Sequence, residues 1–213
     1  RRYGVGLGTA TAGLYLGGDN DPGIADTNEL WNGTAWTEVA DMNTGRSQFG
    51  TGGTTTDGIV AAGRLPAKTA NTEHWDGSAW TEVANLATAR SDTNAGGGIS
   101  TSFLIAGGAN ATAYVASTEE FSAAGPTDSI INTGQVFYRS DTGDMKVTLN
   151  VLGTGAWASG GNTNHQDTER GGSAGTQTAG LIFGGGTPPA PIQATTEQYN
   201  GSTWTEVSAL NTG

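Results

Sequence analysis

The sequence predicts an all-β chain built from four repeated four-stranded units. Three observations lead there: a phrase written three times, a pair of small residues that recurs after an apolar run, and the lack of helical periodicity anywhere. The phrase reads "LWNGTAWTEVADMNT" from Leu30, "HWDGSAWTEVANLAT" from His74 and "QYNGSTWTEVSALNT" from Gln198.

Four anchors recur in order. An Arg follows a polar turn at Arg2, Arg46, Arg90 and Arg170. A small pair closes an apolar strand at Gly17-Gly18, Ala62-Gly63, Gly107-Gly108 and Gly184-Gly185. An acid stands two residues before an aromatic at Glu29/Trp31, Glu73/Trp75, Glu119/Phe121 and Glu197/Tyr199. A later Trp completes each unit at Trp36, Trp80, Trp157 and Trp204. Arg2, Arg46 and Arg90 stand 44 residues apart, and Arg90 to Arg170 is 80, one period plus an insertion. The units are therefore expected at 2–45, 46–89, 90–169 and 170–213, and the final "LNTG" would run naturally into the first "RRYG".

Each unit reads as four short strands. In the second, "SQFGTGG" is a first strand of small residues, and "GIVAAG" is continuously apolar, as a strand buried on both faces should be. "NTEHW" and "SAWTEV" flank Asp76-Gly77, where a tight type I′ hairpin with positive φ at both central residues is expected. Asn32-Gly33 and Asn200-Gly201 occupy the same place. That register sets Trp31 opposite Thr34 and Glu29 opposite Trp36, an acid–aromatic cross-strand pair. The later Trp is expected to pack between neighbouring units and supply core that the sparse aliphatics cannot. The repeated Arg is expected to hydrogen-bond carbonyls or carboxylates between units.

The third unit is interrupted where its hairpin turn belongs. "GQVFYRS" and "DMKVTLNV" flank Asp141-Thr142-Gly143, so residues 127–150 read as an inserted β-hairpin finger. Its contact residues would be Val136, Phe137, Tyr138, Met145 and Val147, packed on the chain's own units or paired with a neighbouring subunit.

Four antiparallel strands at a period of 40–50 residues are the mark of a β-propeller blade. The Arg-led first strand, the second strand ending in Gly-Gly, the Glu-x-aromatic step and the Trp-x-x-Val strand together resemble the kelch repeat. "NGTAWTEV" and "TQTAGLIFGGG" further resemble kelch-type arrays in structural proteins of marine bacteriophages and in bacterial surface proteins. The resemblance spans nearly the whole chain. It departs at Ala62, where the first Gly of the pair is missing, and at Phe121, which lacks its Asn-Gly turn. Some kelch-like propellers are copper oxidases with a Cys-linked Tyr. This chain has no Cys, so that cofactor cannot form here.

Composition narrows the function. Zero Cys excludes a disulfide scaffold, a thiolate zinc site and a Cys nucleophile. A formal charge of −11 without a basic stripe argues against nucleic acid. No apolar run reaches the ~20 residues of a spanning helix. The Arg-Arg start suggests a processed or partial chain. His74 and His165 lack a second His at ligand spacing. Asp19, Asn20 and Asp21 crowd hard oxygens into one loop and form a weak calcium candidate, without the distal bidentate acid of a full calcium loop. Acids that recur in every unit are structural before they are catalytic, so no enzyme, cofactor or catalytic residue is expected. The expectation is a non-enzymatic structural or interaction protein of an extracellular or virion surface, such as a phage tail, fibre or capsid decoration. It would assemble with other subunits, as a homo-oligomer or within a larger particle, and display binding loops. The alternative is a carbohydrate-binding adhesin of a bacterial surface. Four units could close alone, form part of a longer chain, or be joined by other subunits.

Overall fold

The computed structural model describes the chain apart from residues 21, 124–135, 140–143, 148–153, 166–170, 187–192 and 212–213. Among the described residues there is no helix. The first unit contains β1 (Val5–Thr9), β2 (Ala12–Leu16), a two-residue ladder of β3 (Asp19–Asn20) with β4 (Gly23–Ile24), then β5 (Asn28–Trp31) and β6 (Trp36–Val39). The second repeats this with β7 (Gly50–Thr54), β8 (Asp57–Ala61), the ladder β9 (Arg64–Leu65) and β10 (Ala67–Lys68), β11 (Thr72–Trp75) and β12 (Trp80–Val83). The third holds β13 (Asn94–Ile99), β14 (Ser102–Ala106), β15 (Thr118–Ser122) and, beyond the hairpin of β16 (Val136–Arg139) and β17 (Asp144–Val147), β18 (Ala156–Ser159). The fourth is β19 (Gly172–Thr176), β20 (Ala179–Phe183), β21 (Thr196–Tyr199) and β22 (Trp204–Val207). Each unit is one four-stranded antiparallel meander, β1-β2-β5-β6 and its three counterparts. The small ladders β3–β4 and β9–β10 had no signal in the sequence, being two residues long.

First strands pack side by side in chain order, β1 on β7, β7 on β13 and β13 on β19, with no comparable contact between β19 and β1 among the described residues. Small residues permit that approach: a Cβ on Gly52 would stand 2.7 Å from the Phe103 ring. The core consequently lies between sheets rather than within one. Leu14, Leu16, Met42, Phe49, Val60, Trp75 and Trp80 fill the first junction, and Ile59, Val83, Leu86, Phe103, Ile105 and Phe121 the second. Leu104, Ile182, Tyr199 and Trp204 fill the third. This explains why Ile59–Ala61 and Phe103–Ala106 are buried without alternation, whereas β2 alternates between buried Leu14 and Leu16 and half-buried Tyr15. Among the described residues the second and third sheets have a neighbour on both faces, the first and fourth on one.

The hairpin register differs from the sequence reading. Trp31 pairs with Trp36 and Glu29 with Glu38, not Trp31 with Thr34 or Glu29 with Trp36. The pattern repeats as Trp75 with Trp80, Phe121 with Trp157 and Tyr199 with Trp204, ring centroids 4.9–5.4 Å apart. The connection is four residues long. Only its Gly takes positive φ, +93° at Gly33 and Gly77 and +91° at Gly201, so the type I′ expectation fails. The physical reason is the side chain before the Gly. Asn32 Oδ1 accepts the N–H of Thr34 and of Ala35 at 2.9 Å, and Asp76 and Asn200 do the same, so an Asx turn replaces the backbone bond of a tighter loop.

The small pairs are all left-handed. Gly17 and Gly18, Ala62 and Gly63, Gly107 and Gly108, and Gly184 and Gly185 each have φ between +50° and +107°. The first residue bonds within its unit (Gly17 N–H to Thr27 O, Ala62 N–H to Asn71 O). The second reaches forward: Gly18 N–H donates to Arg46 O, and Gly63 N–H to Arg90 O.

Candidate functional site

The repeat anchors are committed to the scaffold, and they bound what is left for function. Arg46 is fully buried. Its Nη1 donates to the carbonyls of Ala62 and Asn71 at 3.1 and 2.7 Å, and its Nη2 to Glu73. Arg90 repeats this with Gly107, Ser117 and Glu119 at 3.2, 2.8 and 2.5 Å. These partners lie in the Arg's own unit, which corrects the expected side-chain bridge between units; the Arg backbone makes the crossing bonds, Arg46 O accepting Gly18 N–H and Arg46 N–H donating to Ala25 O. Burial pulls both guanidinium pKa values down, opposed by the neighbouring carboxylates. In the first unit the place is taken by Arg1, bonded to Thr27 O and Glu29, rather than by Arg2, which is exposed and 3.8 Å from Asp19. The β1 hairpin runs one residue ahead of the 44-residue period, as Gly8 matching Gly53 shows. Arg170 lies outside the described residues.

The acids join consecutive units. Glu73 Oε2 accepts Asn43 N–H, Glu119 Oε2 accepts Ala87 N–H and Glu197 Oε2 accepts Asn164 N–H, all at 2.7 Å, each from the segment leaving the preceding sheet. The later Trp residues do likewise. The indole N–H of Trp80 donates to Ala40 O, that of Trp157 to Ala84 O, and that of Trp204 to Thr118 Oγ1. Trp36 departs from the expected packing between units: it is 52% exposed, because no sheet precedes it among those described.

Asp19 and Asn20 form β3, and Asp21 lies outside the described residues. No group of three or more His, Asp or Glu among the described residues is placed to hold a metal ion. His74 Nε2 sits 2.7 Å from Asp57 and His165 3.7 Å from Glu206. In the finger, Val136 pairs with Val147, Phe137 with Lys146 and Tyr138 with Met145; its side chains and the turn at 141–143 lie outside the described residues. No described helix is long and apolar enough to cross a membrane.

What remains is a feature the sequence reading missed. Tyr3, Gln48 and Asp92, one in each of the first three units, hold φ of +59°, +57° and +55°. Their backbones form a chain, Gln48 N–H to Tyr3 O at 3.1 Å and Asp92 N–H to Gln48 O at 3.0 Å. Non-Gly residues uncommonly adopt this conformation, which makes the three positions candidates for a local function. The three line a cavity of about 180 Å³ together with Val5 and Phe49. Gln48 Nε2 donates to Asp92 Oδ1, and Ser91 Oγ to Asp92 Oδ2 at 2.8 Å. Tyr3 is half exposed, with the Arg2 guanidinium 5.8 Å from its ring. Gln48 and Asp92 also wall a groove of about 520 Å³ that takes in Arg64 and Lys68; Arg64 leads on to a third hollow with Arg2 and Asp19. A phenol, an amide, a carboxylate and two guanidinium groups suit a polar ligand held by hydrogen bonds. A signal was available: in the first three units each of these residues follows its anchor Arg by two positions and differs in type, while the anchors repeat.

The chain matches no family model and no curated protein. Its fold is similar to a solved structure titled "Structure of YjhT", with a TM-score of 0.66 and 12% identity over 96% of this chain and 68% of that one. At that identity the likeness shows architecture alone. Together with the four meanders, it makes this chain an all-β protein of β-propeller-like fold.

Proposed function

We propose that the chain is a kelch-like propeller that works by assembly and display, a non-enzymatic structural or interaction protein of an extracellular or virion surface. The observation that supports this reading is the row Tyr3, Gln48 and Asp92: three different polar side chains held at one equivalent backbone position, on a scaffold whose own acids are bonded into the junctions. A repeat scaffold with variable residues at one rim is the architecture of a binding protein. The surface location is supported by the likeness of "NGTAWTEV" and "TQTAGLIFGGG" to phage and bacterial-surface arrays.

The half-exposed Tyr3 beside Gln48 and Asp92 favours a glycan as the displayed ligand, because aromatic faces and planar polar groups are what sugars stack on and bond to. The test is a glycan array and cell-envelope binding assay on the intact chain beside Tyr3→Asn and Gln48→Asn, Asn being tolerant of the left-handed backbone. Binding that drops at least ten-fold in either variant with an unchanged thermal midpoint upholds the reading. Binding indifferent to both, or turnover of a bound glycan, overturns it.

A further inference from the structure

The connection after the second strand of each unit carries a pair of side chains whose chemistry changes from unit to unit. The same backbone bridge fixes it in the first three units: Arg2 with Asp19, Ser47 with Arg64, and Ser91 with Ala109. Asp19, Arg64 and Ala109 therefore hold one equivalent place. Opposite them stand Ile24, Lys68 and Tyr114. The same place thus sets an acid against an aliphatic, a guanidinium against an ammonium, and a methyl against a phenol. Scaffold positions repeat in this chain, and this pair does not.

The pair in the second unit is unfavourable as it stands. Like charges directly opposite on neighbouring strands repel, and β9 and β10 are only two residues long, so no longer sheet absorbs the cost. No carboxylate among the described residues lies within ion-pair distance of Arg64 or Lys68. Arg64 is exposed, and its Nε donates to Pro66 O at 3.4 Å. Lys68 Nζ donates to Asn110 O at 2.8 Å, across the second junction. Those carbonyls each take one donor and leave the charge uncompensated. Elsewhere the cations are paired: Arg1, Arg46 and Arg90 each hold a carboxylate, and Arg2 stands 3.8 Å from Asp19. Arg64 and Lys68 are thus the two cations without a carboxylate among the described side chains, and they face each other in a chain of formal charge −11.

Both line the groove of about 520 Å³ at the second junction. Its one acid, Asp92, has both oxygens occupied: the Gln48 amide donates to Oδ1, and the Ser91 hydroxyl to Oδ2 at 2.8 Å. Gln48 and Asp92 also line the cavity beside Tyr3, so one ligand can reach from the Tyr3 ring into the groove. We infer that the glycan bound at this rim is acidic, and that its carboxylate or sulfate sits between Arg64 and Lys68. The inference rests on the glycan reading of the Tyr3 site and names the class of sugar. The planar fork of Arg64 takes two oxygens of the oxyanion, and the Lys68 ammonium adds a point charge. Binding also removes the repulsion across the ladder, which accounts for two cations being set opposite each other there.

The test is calorimetric titration of the intact chain with a galacturonate hexamer, its neutral methyl ester and a sulfated galactose hexamer. Arg64→Gln, Arg64→Lys and Tyr3→Asn are titrated beside the wild type. The wild type should bind one of the acidic hexamers at least ten-fold more tightly than the ester, and that preference should shrink as sodium chloride rises from about 20 to 300 mM. Preference for the uronate assigns a carboxylate, and preference for the sulfated hexamer a sulfate. Arg64→Gln should bind acid and ester alike, while Arg64→Lys, which keeps the charge without the fork, should retain part of the preference. Without ligand, Arg64→Gln should melt no lower than the wild type, because it removes a repulsion. A lower midpoint would show that Arg64 serves the fold, and would overturn the inference. Acid and ester bound equally by the wild type, and both lost in Tyr3→Asn, would overturn it and leave the glycan reading standing. If no hexamer binds, the inference falls, and the neutral members of the glycan array decide the glycan reading separately.

Discussion

Arg90 donates from Nη2 to Glu119 Oε1 at 2.5 Å, and the other oxygen of that carboxylate accepts the Ala87 N–H from the preceding unit at 2.7 Å. Neither side chain reaches water: Arg90 is fully buried and Glu119 nearly so. Two charges have been desolvated, and all their compensation is internal. Removing one partner leaves the other buried and uncompensated, which costs about 3–5 kcal/mol. Glu119→Ala and Arg90→Ala should each lose that much in urea unfolding, and the double variant should lose clearly less than the two losses added, as a double-mutant cycle would show. Losses below about 1 kcal/mol in both singles would mean that water reaches the pair.

The left-handed pairs give a second prediction. Gly63 has φ +107°, and a Cβ there would stand 2.9 Å from Phe49 Cβ and 3.0 Å from Ser47 O. Gly63→Ala should destabilise by more than about 2 kcal/mol through backbone strain and overpacking. Ala62 already bears a Cβ at φ +64°. Ala62→Gly relieves that strain but frees the unfolded chain, so the two effects nearly cancel and the change should stay within about 1 kcal/mol. Thermal unfolding of the pair of variants checks the contrast; a Gly63→Ala protein as stable as the wild type would contradict it.

How much of this was legible depended on the range of the interaction. The meanders were readable because strand, turn and strand follow one another, and Gly-Gly after "LIF" marks a backbone conformation as much as a motif. The hairpin register was misread because the Asn32 side chain, not its backbone, closes the turn, and a dipeptide does not reveal that. Arg1 rather than Arg2 holds the anchor place in the first unit, which a fixed period cannot show because the first hairpin runs one residue ahead. Tyr3, Gln48 and Asp92 were overlooked for the opposite reason: repeat analysis looks for sameness, and these positions differ. The exposure of Trp36 follows from having no preceding sheet among those described, which is a fact about neighbours and not about the residue.

Tyr199 should titrate late. Its hydroxyl, on β21, donates to the Glu120 carboxylate of β15 across the third junction, and its ring is 1% exposed. Burial, then the hydrogen bond and charge of Glu120, push its pKa up to about 12. The folded value lies above the unfolded one of about 10, so the protonated phenol is the form that folding favours. Its contribution is complete below pH 10 and is lost as pH rises from about 10 to 12. A phenolate absorbance titration should find one of the five tyrosines ionising about two pH units late, with stability falling over the same window. Tyr199→Phe should remove both the late step and that part of the slope. A titration in which all five ionise together near pH 10 would show that the third junction admits water.

The sharpest contrast lies between two tryptophans at the same place in consecutive units. Trp80 is 7% exposed, packs on Trp75 with centroids 5.3 Å apart, and donates to Ala40 O across the first junction. Trp36 makes the matching pair with Trp31 at 5.4 Å but faces no preceding sheet among those described. Truncating a buried Trp removes its transfer free energy and leaves a cavity, about 3–5 kcal/mol together. Truncating an exposed one removes only a cross-strand ring contact, about 0.5–1.5 kcal/mol. Trp80→Ala should therefore lower the unfolding free energy several-fold more than Trp36→Ala. The linkage between sheets makes a further demand. Because the first and second sheets meet through Trp80, its loss should open that junction before the others, so hydrogen exchange should rise in β5–β8 ahead of β19–β22. Equal costs at the two positions, or exchange that rises uniformly, would mean that the sheets are stabilised one by one and that the junction tryptophans are not what joins them.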